Sequence, residues 1–477
     1  MRVIMAHLRG INSRRPCLCA NEALFSGRDM PTLSELFAVN VPRYTSYPTA
    51  PHFHPGIGEN TYREWLRALP GNSPLSLYLH IPFCDTLCWF CGCNTGVVNH
   101  YRPVAEYLDL LLKEIDLVAG AIPGRRAVSH IHWGGGSPTL LSSDGIGRLA
   151  ERLRERFDIL PDAEFAIEID PRGLQRATVK ALAQAGLTRA SIGLQDCDAT
   201  VQRAINRMQT NEETAGAVAM LRDEGVESIN LDLIYGLPHQ TLTSWRFTLD
   251  FALSLSPDRL AVFGYAHVPQ FKKHQALIPL TTLPGLDSRM TMAKFAHSFL
   301  CERGYAAIGL DHFAKPADAM AKAAQTGKLA RNFQGYTTDR AAILLGLGAS
   351  SIGSLPQGYV QNLPTVPLYR AMVEAGRLPV ARGIALSDED KIRRTVIEDL
   401  MCRLEVDLKD VAENAGVPAA MFDGALERLS PLIEQGLVER HGLRVCVSRE
   451  WTPVLRLAAA AFDEYLPGDK ALHSLSV

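Results

Sequence analysis

The residues best able to do chemistry lie in one short stretch, Cys84-Asp85-Thr86-Leu87-Cys88-Trp89-Phe90-Cys91. Three thiols in C-x3-C-x2-C spacing, with aromatics between them, can converge on one metal centre. A structural zinc site needs four ligands in tetrahedral closure, and no second Cys or His pair follows at zinc-finger distance. Iron–sulfur cubes are held by Cys thiolates. Three ligands on a four-iron cube leave one iron open, and an open iron is where chemistry can happen. Cys93 is the extra thiol: it could close the cube and make an electron-transfer centre instead. A buried Cys cluster without metal is the bland alternative, but reduced thiols are rarely so crowded without a ligand role.

The rest of the composition bounds the setting. Ten Cys in 477 residues are too sparse for a disulfide scaffold, and four of them fall within residues 84–93. That pattern reads as metal binding in a reducing compartment, so a cytoplasmic protein is expected. Net charge is −2 with 21% charged residues, so no global field attracts nucleic acid or a membrane surface. An anionic substrate must therefore be held by a local basic pocket. No apolar run reaches spanning length; the longest candidate, residues 341–355, is interrupted by Gly and Ser.

The elements that must position these residues follow a repeating unit: a short β-rich run, a motif, then an amphipathic helix. The β-runs are residues 75–81, 128–133, 164–169, 189–194, 229–234 and 259–264, with 305–310 as a candidate further strand. Between them, residues 104–118 carry Leu108, Leu111, Leu112 and Ile115 at helical spacing, and 214–222 is a second helical pattern. Alternating strands and helices imply a parallel sheet with right-handed crossovers, here an incomplete TIM-like barrel of about six units. The unusual residues fall at the ends of the runs. The Cys triplet follows the first, Gly134-Gly135-Gly136 the second, and Glu168-Ile169-Asp170-Pro171 ends the third. Gln195-Asp196 ends the fourth, Asp232 to Pro238 the fifth, and Tyr265-Ala266-His267 follows the sixth. Active sites of such barrels lie at the C-terminal strand ends, so all six motifs are expected to ring one cavity.

Several segments carry a more particular likeness. The C-x3-C-x2-C motif with an aromatic before its third Cys resembles the signature of the radical S-adenosylmethionine enzymes. Pro42-Arg43-Tyr44-Thr45-Ser46-Tyr47-Pro48, His80-Ile81-Pro82-Phe83, Cys91-Gly92-Cys93-Asn94, His132-Trp133-Gly134-Gly135-Gly136 and Arg331-Asn332-Phe333-Gln334-Gly335-Tyr336 resemble the oxygen-independent coproporphyrinogen III oxidases. The likeness runs from about Pro42 to the C-terminus. It implies an incomplete (β/α)6 radical-SAM barrel followed by a smaller, mainly helical, winged-helix-like domain. It also implies a 4Fe–4S cluster on Cys84, Cys88 and Cys91, with Cys93 outside the ligand set. Tyr78, Gly135, Glu168 and Ile352 match contacts to S-adenosylmethionine on the cluster. Phe90, Gly136, Ser137, Gln195, Arg207, Asp232 and Ala266 match a second S-adenosylmethionine site. Ser137 stands where the family usually has Thr, and Cys197 replaces a residue that is usually aromatic or apolar.

The implied reaction is oxidative decarboxylation of coproporphyrinogen III to protoporphyrinogen IX, two propionates becoming vinyls, in anaerobic heme biosynthesis. Arg43 and Arg331 are the candidates for gripping propionates, because the planar guanidinium holds a carboxylate bidentately. The segment from Arg43 to Tyr47 is a candidate lid. An electron donor such as a flavodoxin or ferredoxin, and a monomeric state, are expected. The alternative is a heme chaperone of the same fold, which usually lacks the Cys at position 93 and the 43–50 segment. A DNA-binding role for the tail is disfavoured, since Glu427, Glu434, Glu439, Asp463 and Glu464 dilute its Arg residues. The expected organisation is a disordered extension over 1–29, a substrate-covering segment over 30–70, the barrel over 71–375 and the helical domain over 376–477.

Overall fold

The computed structural model describes residues 41–71, 73–448 and 454–466. The extension expected over residues 1–29 lies outside the described residues. The architecture is one twelve-stranded mixed sheet wrapped by helices, followed by a small second layer.

Each expected β-run is a strand: β1 (Leu75–Ile81), β2 (Ala127–Gly135), β3 (Asp158–Ile169), β4 (Arg189–Gln195), β5 (Ser228–Tyr235) and β6 (Arg259–Gly264). All six lie side by side and parallel in that order. Six of the seven residues of β1 are buried, as both faces of a helix-covered parallel strand require. The crossover α1 (Arg102–Ala121) turns Leu108, Leu111, Leu112 and Ile115 inward, none more than 6% exposed. The crossover α2 (Asn211–Asp223) starts on a capping box between Thr210 and Glu213.

Two features differ from the six-unit expectation. The run at 305–310 forms only β7 (Ala306–Ile308), which pairs antiparallel with β8 (His312–Ala314), itself antiparallel to β6. Three residues separate β7 from β8, far fewer than a parallel crossover needs, so this edge can only turn back. A seventh parallel strand, β9 (Ile343–Leu347), lies on the other side of β1. It comes from the apolar run first weighed as a membrane span. The sheet continues antiparallel through β10 (Ile352–Leu355), β11 (Gly358–Asn362) and β12 (Val380–Ala385), past the boundary expected at 375. No pairing among the described strands joins β12 to β7, so the barrel stays open at the side. No helix among the described residues is long and apolar enough to cross a membrane.

Beyond β12, helix α3 (Asp388–Arg403) begins on a capping box between Ser387 and Asp390. Glu405–Asp407, Val438–His441 and Arg444–Val447 form a three-stranded antiparallel sheet beside helices Leu408–Ala415 and Asp423–Glu434. This is the winged-helix-like arrangement expected for the tail. Its apolar core includes Val41, Tyr44 and Tyr47 beside Leu400, Phe422 and Phe462. The 41–47 segment is therefore built into the second layer. The Tyr44 hydroxyl donates to Asp463 at 2.9 Å, and Arg456 donates to the carbonyls of Val41 and Pro42.

Candidate active site

The loop after β1 is held from several directions. Asn206, in the left-handed region at φ 52°, donates its amide to Leu87 O at 2.9 Å, and Trp89 N donates to Ile205 O at 2.9 Å. Gln275 holds Phe90 O at 2.9 Å, His274 pairs with Cys91 O at 2.8 Å and Lys272 donates to Cys93 O at 2.9 Å. Trp89 and Phe90 pack on Val201, Ile205, Leu237 and Tyr265, which keeps water from that side.

A cavity of about 190 Å³ opens on this loop. Cys84, Cys88, Cys91 and Cys93 line it, together with Phe90, Gly135, Gly136, Ser137, Glu168, Gln195, Arg207 and Asp232. A second cavity of about 300 Å³ fills the barrel interior and shares Cys93, Glu168, Ser191 and Asp232 with the first. Three of the expected S-adenosylmethionine contacts do not line the smaller cavity. Tyr78 reaches it through neighbours: its hydroxyl meets His80 Nδ1 at 3.0 Å, and its ring lies 5.8 Å from that of His132. Ala266 O accepts from Gln275 at 3.2 Å, the side chain that also holds Phe90 O. Ile352 packs near Phe53 and Tyr359, one strand over from Gly346, which is the β9 partner of Tyr78.

The Gly loop lies against the Cys loop. Gly136 N donates to Ile81 O at 2.8 Å and Ser137 N to Phe83 O at 2.6 Å. A Cβ at Gly134 would stand 2.6 Å from a Glu168 oxygen, and one at Gly136 would strike the backbone of Phe83. Glycine is thus demanded here by contacts inside the protein as well as by any ligand.

The charges differ in kind. Glu168 accepts from Gly135 N at 2.9 Å and meets His132 Nε2 at 3.3 Å. Burial works against its charge, but these donors outweigh it and hold its carboxyl below the usual range. Asp232, flanked by apolar residues, finds neutral partners: Ser191 at 2.9 Å and Asn230 at 2.8 Å. Burial, aided by the nearby Glu168 charge, pushes its carboxyl up. Gln195 sits at φ 65° on a register shift in β4, a bulge that turns its side chain to the rim.

Around Cys88 the structure adds a residue that the motifs did not single out. Arg207 Nη1 lies 3.6 Å from the Cys88 sulfur, and Arg172 Nη2 lies 3.7 Å from it. Both guanidiniums also grip Asp170, at 3.1 and 2.6 Å. Burial alone would raise the Asp170 carboxyl, but the two cations hold it down. The only sequence signal for Arg172 was its place two residues beyond the third strand-end acid. Arg43 and Arg331 lie elsewhere, where the 41–44 segment meets the end of β6 at the barrel mouth. Arg43 donates to Gly264 O at 2.9 Å, and Arg331 to the carbonyls of Arg43 and Tyr44 at 3.1 and 3.2 Å.

The donor set fits an iron–sulfur cube better than a single ion. Tetrahedral zinc at Zn–S of about 2.3 Å places its sulfurs roughly 3.8 Å apart. Among the described residues, no three His, Cys, Asp or Glu side chains close round one point in that way. Thiolates are the ligands of an iron–sulfur cube, and the cavity is lined by Cys84, Cys88, Cys91 and Cys93, with two guanidinium donors near the Cys88 sulfur.

Comparison with known proteins agrees. The profile of the Radical SAM superfamily matches residues 78–252, and that of the HemN C-terminal domain matches residues 386–450. The chain is 49% identical to the oxygen-independent coproporphyrinogen III oxidase of Bradyrhizobium diazoefficiens, covering 92% of this chain and 97% of that protein. Against the Escherichia coli protein of the same name identity is 41%, covering 89% and 93%. The solved structure of the E. coli coproporphyrinogen III oxidase, described as a radical SAM enzyme, superposes with a TM-score of 0.85 at 40% identity, covering 90% of this chain and 100% of that one. The chain belongs to the oxygen-independent coproporphyrinogen III oxidases of the radical SAM superfamily.

Proposed function

We propose that this chain converts coproporphyrinogen III to protoporphyrinogen IX by two oxidative decarboxylations in anaerobic heme biosynthesis. The observation that carries the reading is the cavity where the thiols of Cys84, Cys88 and Cys91 meet the Gly loop, Glu168 and Asp232. When bound and given one electron, the 4Fe–4S cluster and S-adenosylmethionine would supply a 5′-deoxyadenosyl radical with release of methionine; the radical would take a hydrogen from the β-carbon of a propionate, and loss of carbon dioxide with transfer of one electron to a separate one-electron acceptor would leave the vinyl group.

The protein's share is positioning. Cys84, Cys88 and Cys91 hold the cluster, and Cys93 stays outside the ligand set. Tyr78, Gly135, Glu168 and Ile352 bind the S-adenosylmethionine on the cluster. The ionised Glu168 suits ribose hydroxyls, as acidic residues do in other nucleotide sites. Phe90, Gly136, Ser137, Gln195, Arg207, Asp232 and Ala266 form a second S-adenosylmethionine site. Trp89 and Phe90 exclude water, and Arg43 and Arg331 hold propionates. A low-potential donor such as a flavodoxin or ferredoxin supplies electrons to a monomer in the cytoplasm.

The test is anaerobic reconstitution followed by reduction. Wild-type protein should cleave S-adenosylmethionine to 5′-deoxyadenosine and release carbon dioxide from coproporphyrinogen III. Tight heme binding with no decarboxylation would replace this reading with the heme-chaperone one.

A further inference from the structure

Four guanidinium groups gather where the 41–44 segment crosses the barrel mouth, and each donates to backbone carbonyls. Arg456 takes those of Val41 and Pro42, and Arg331 those of Arg43 and Tyr44. Arg43 and Arg289 take the neighbouring carbonyls Gly264 O and Tyr265 O, at 2.9 and 2.7 Å, at the end of β6. The next carbonyl, Ala266 O, is held by Gln275, which also holds Phe90 O in the Cys loop. The arginines thus stand two hydrogen bonds from the cluster loop.

Among the described residues, Arg43, Arg289 and Arg331 form no ion pair with a carboxylate. Asp311, paired with His312 at 2.7 Å, is also held down by the Arg331 and Arg43 charges and offsets part of them, whereas the charges that bear on Arg289 are those of Arg43 and of the Tyr235 and Tyr265 hydroxyls. Arg289 Nε and Arg331 Nη1 are buried with no hydrogen-bond partner. A buried cationic N–H left unpaired is costly, so a group that accepts from it is expected. Burial, reinforced by the facing Arg43, lowers the affinity of Arg289 for its proton, as mutual repulsion requires. Gly236, in the left-handed region at φ 81°, packs against the Arg289 side chain; a Cβ there would stand 3.2 Å from Nε, so only glycine fits at this approach.

We propose that Arg289, together with Arg43 and Arg331, forms a carboxylate-binding arch at the barrel mouth and that Arg289 Nε is a direct contact to a substrate propionate. This rests on the porphyrinogen reading above. A ligand with four carboxylates entering a partly buried site needs several fixed counter-charges, and guanidinium forks supply them with defined direction.

The experiment measures binding of coproporphyrin III and of its tetramethyl ester to reconstituted wild type, Arg289→Gln and Arg289→Lys by fluorescence. Iron content and substrate-independent cleavage of S-adenosylmethionine are followed in parallel as a check on folding. The tetra-acid should bind Arg289→Gln roughly tenfold to a hundredfold more weakly, as loss of one charge-assisted hydrogen bond implies. The ester should bind both proteins alike, and Arg289→Lys should recover part of the tetra-acid affinity. An equal loss for acid and ester would reduce Arg289 to a buttress of the Tyr265 turn, and an unchanged tetra-acid affinity would remove it from the site. Failure of the parent reading shows separately, as wild type that cleaves S-adenosylmethionine but leaves coproporphyrinogen III unconverted, and it overturns this proposal too.

Discussion

Cys88 is the one motif thiol with two guanidinium donors, and that asymmetry has a consequence for the cluster. Donors to a ligand sulfur draw electron density from it and raise the reduction potential. Arg172→Gln keeps a polar side chain but removes the cationic donor at 3.7 Å. The reduction midpoint should fall by on the order of 50 mV, about 1 kcal/mol for one electron, in a redox titration followed by electron paramagnetic resonance. An unchanged midpoint would make Arg172 a partner of Asp170 alone. Cys93 lines the same cavity as the other three thiols and donates its amide to the Cys91 sulfur at 3.3 Å. Replacing it with Ser should leave iron content at the wild-type level, whereas Cys84→Ser should lose the cluster; iron lost from Cys93→Ser would refute the three-thiolate assignment. The Cys loop was legible because its chemistry sits in eight consecutive residues. Arg172 and Arg289 were not, because their partners are a sulfur 84 positions away and a carbonyl 24 positions away.

At the scale of elements, α1 and the turn after β9 share a buried carboxyl. Glu114 is 1% exposed and accepts from Gly348 N and Asn362 Nδ2, each at 2.6 Å, and from the Tyr369 hydroxyl. Burial pushes its carboxyl up from 4.5 to about 7. The folded state then holds a proton that the unfolded chain releases above pH 4.5. The stabilisation is complete below that pH and is lost as pH rises towards 7. Between pH 5 and 8 the wild type should lose on the order of 3 kcal/mol relative to Glu114→Gln, measured by denaturant unfolding at both pH values. Parallel slopes for the two proteins would mean that Glu114 is already ionised. The six barrel strands were legible because each is an apolar run ending in a polar motif. The seventh, β9, was hidden by Gly346, Gly348 and Gly353, which break the apolar run. A Cβ at Gly346 would stand 2.6 Å from the Ile352 carbonyl carbon, so close strand packing demands glycine where the pattern reads as a break.

Across the whole molecule, the 41–47 segment ties the second layer to the barrel mouth. Tyr44 and Tyr47 are buried in the C-terminal core, while Arg43 between them and the barrel reaches Gly264. Sequence suggested a lid because Tyr and Pro cluster there; the core that those rings fill is built from Val396 onward, beyond any local pattern. Tyr44→Phe removes the donor to Asp463 and leaves a buried carboxyl short of a partner. Stability should fall by about 1–3 kcal/mol in thermal or denaturant unfolding, with cleavage of S-adenosylmethionine retained. No loss of stability would mean that solvent takes the place of the hydroxyl. The central claim is an iron left open by three thiolates for S-adenosylmethionine to occupy, and electron paramagnetic resonance of the reconstituted, reduced protein with and without that cosubstrate tests it most directly. The account predicts that adding S-adenosylmethionine changes the spectrum of the reduced cluster. A spectrum indifferent to S-adenosylmethionine, from a cluster ligated by all four thiolates, would contradict it.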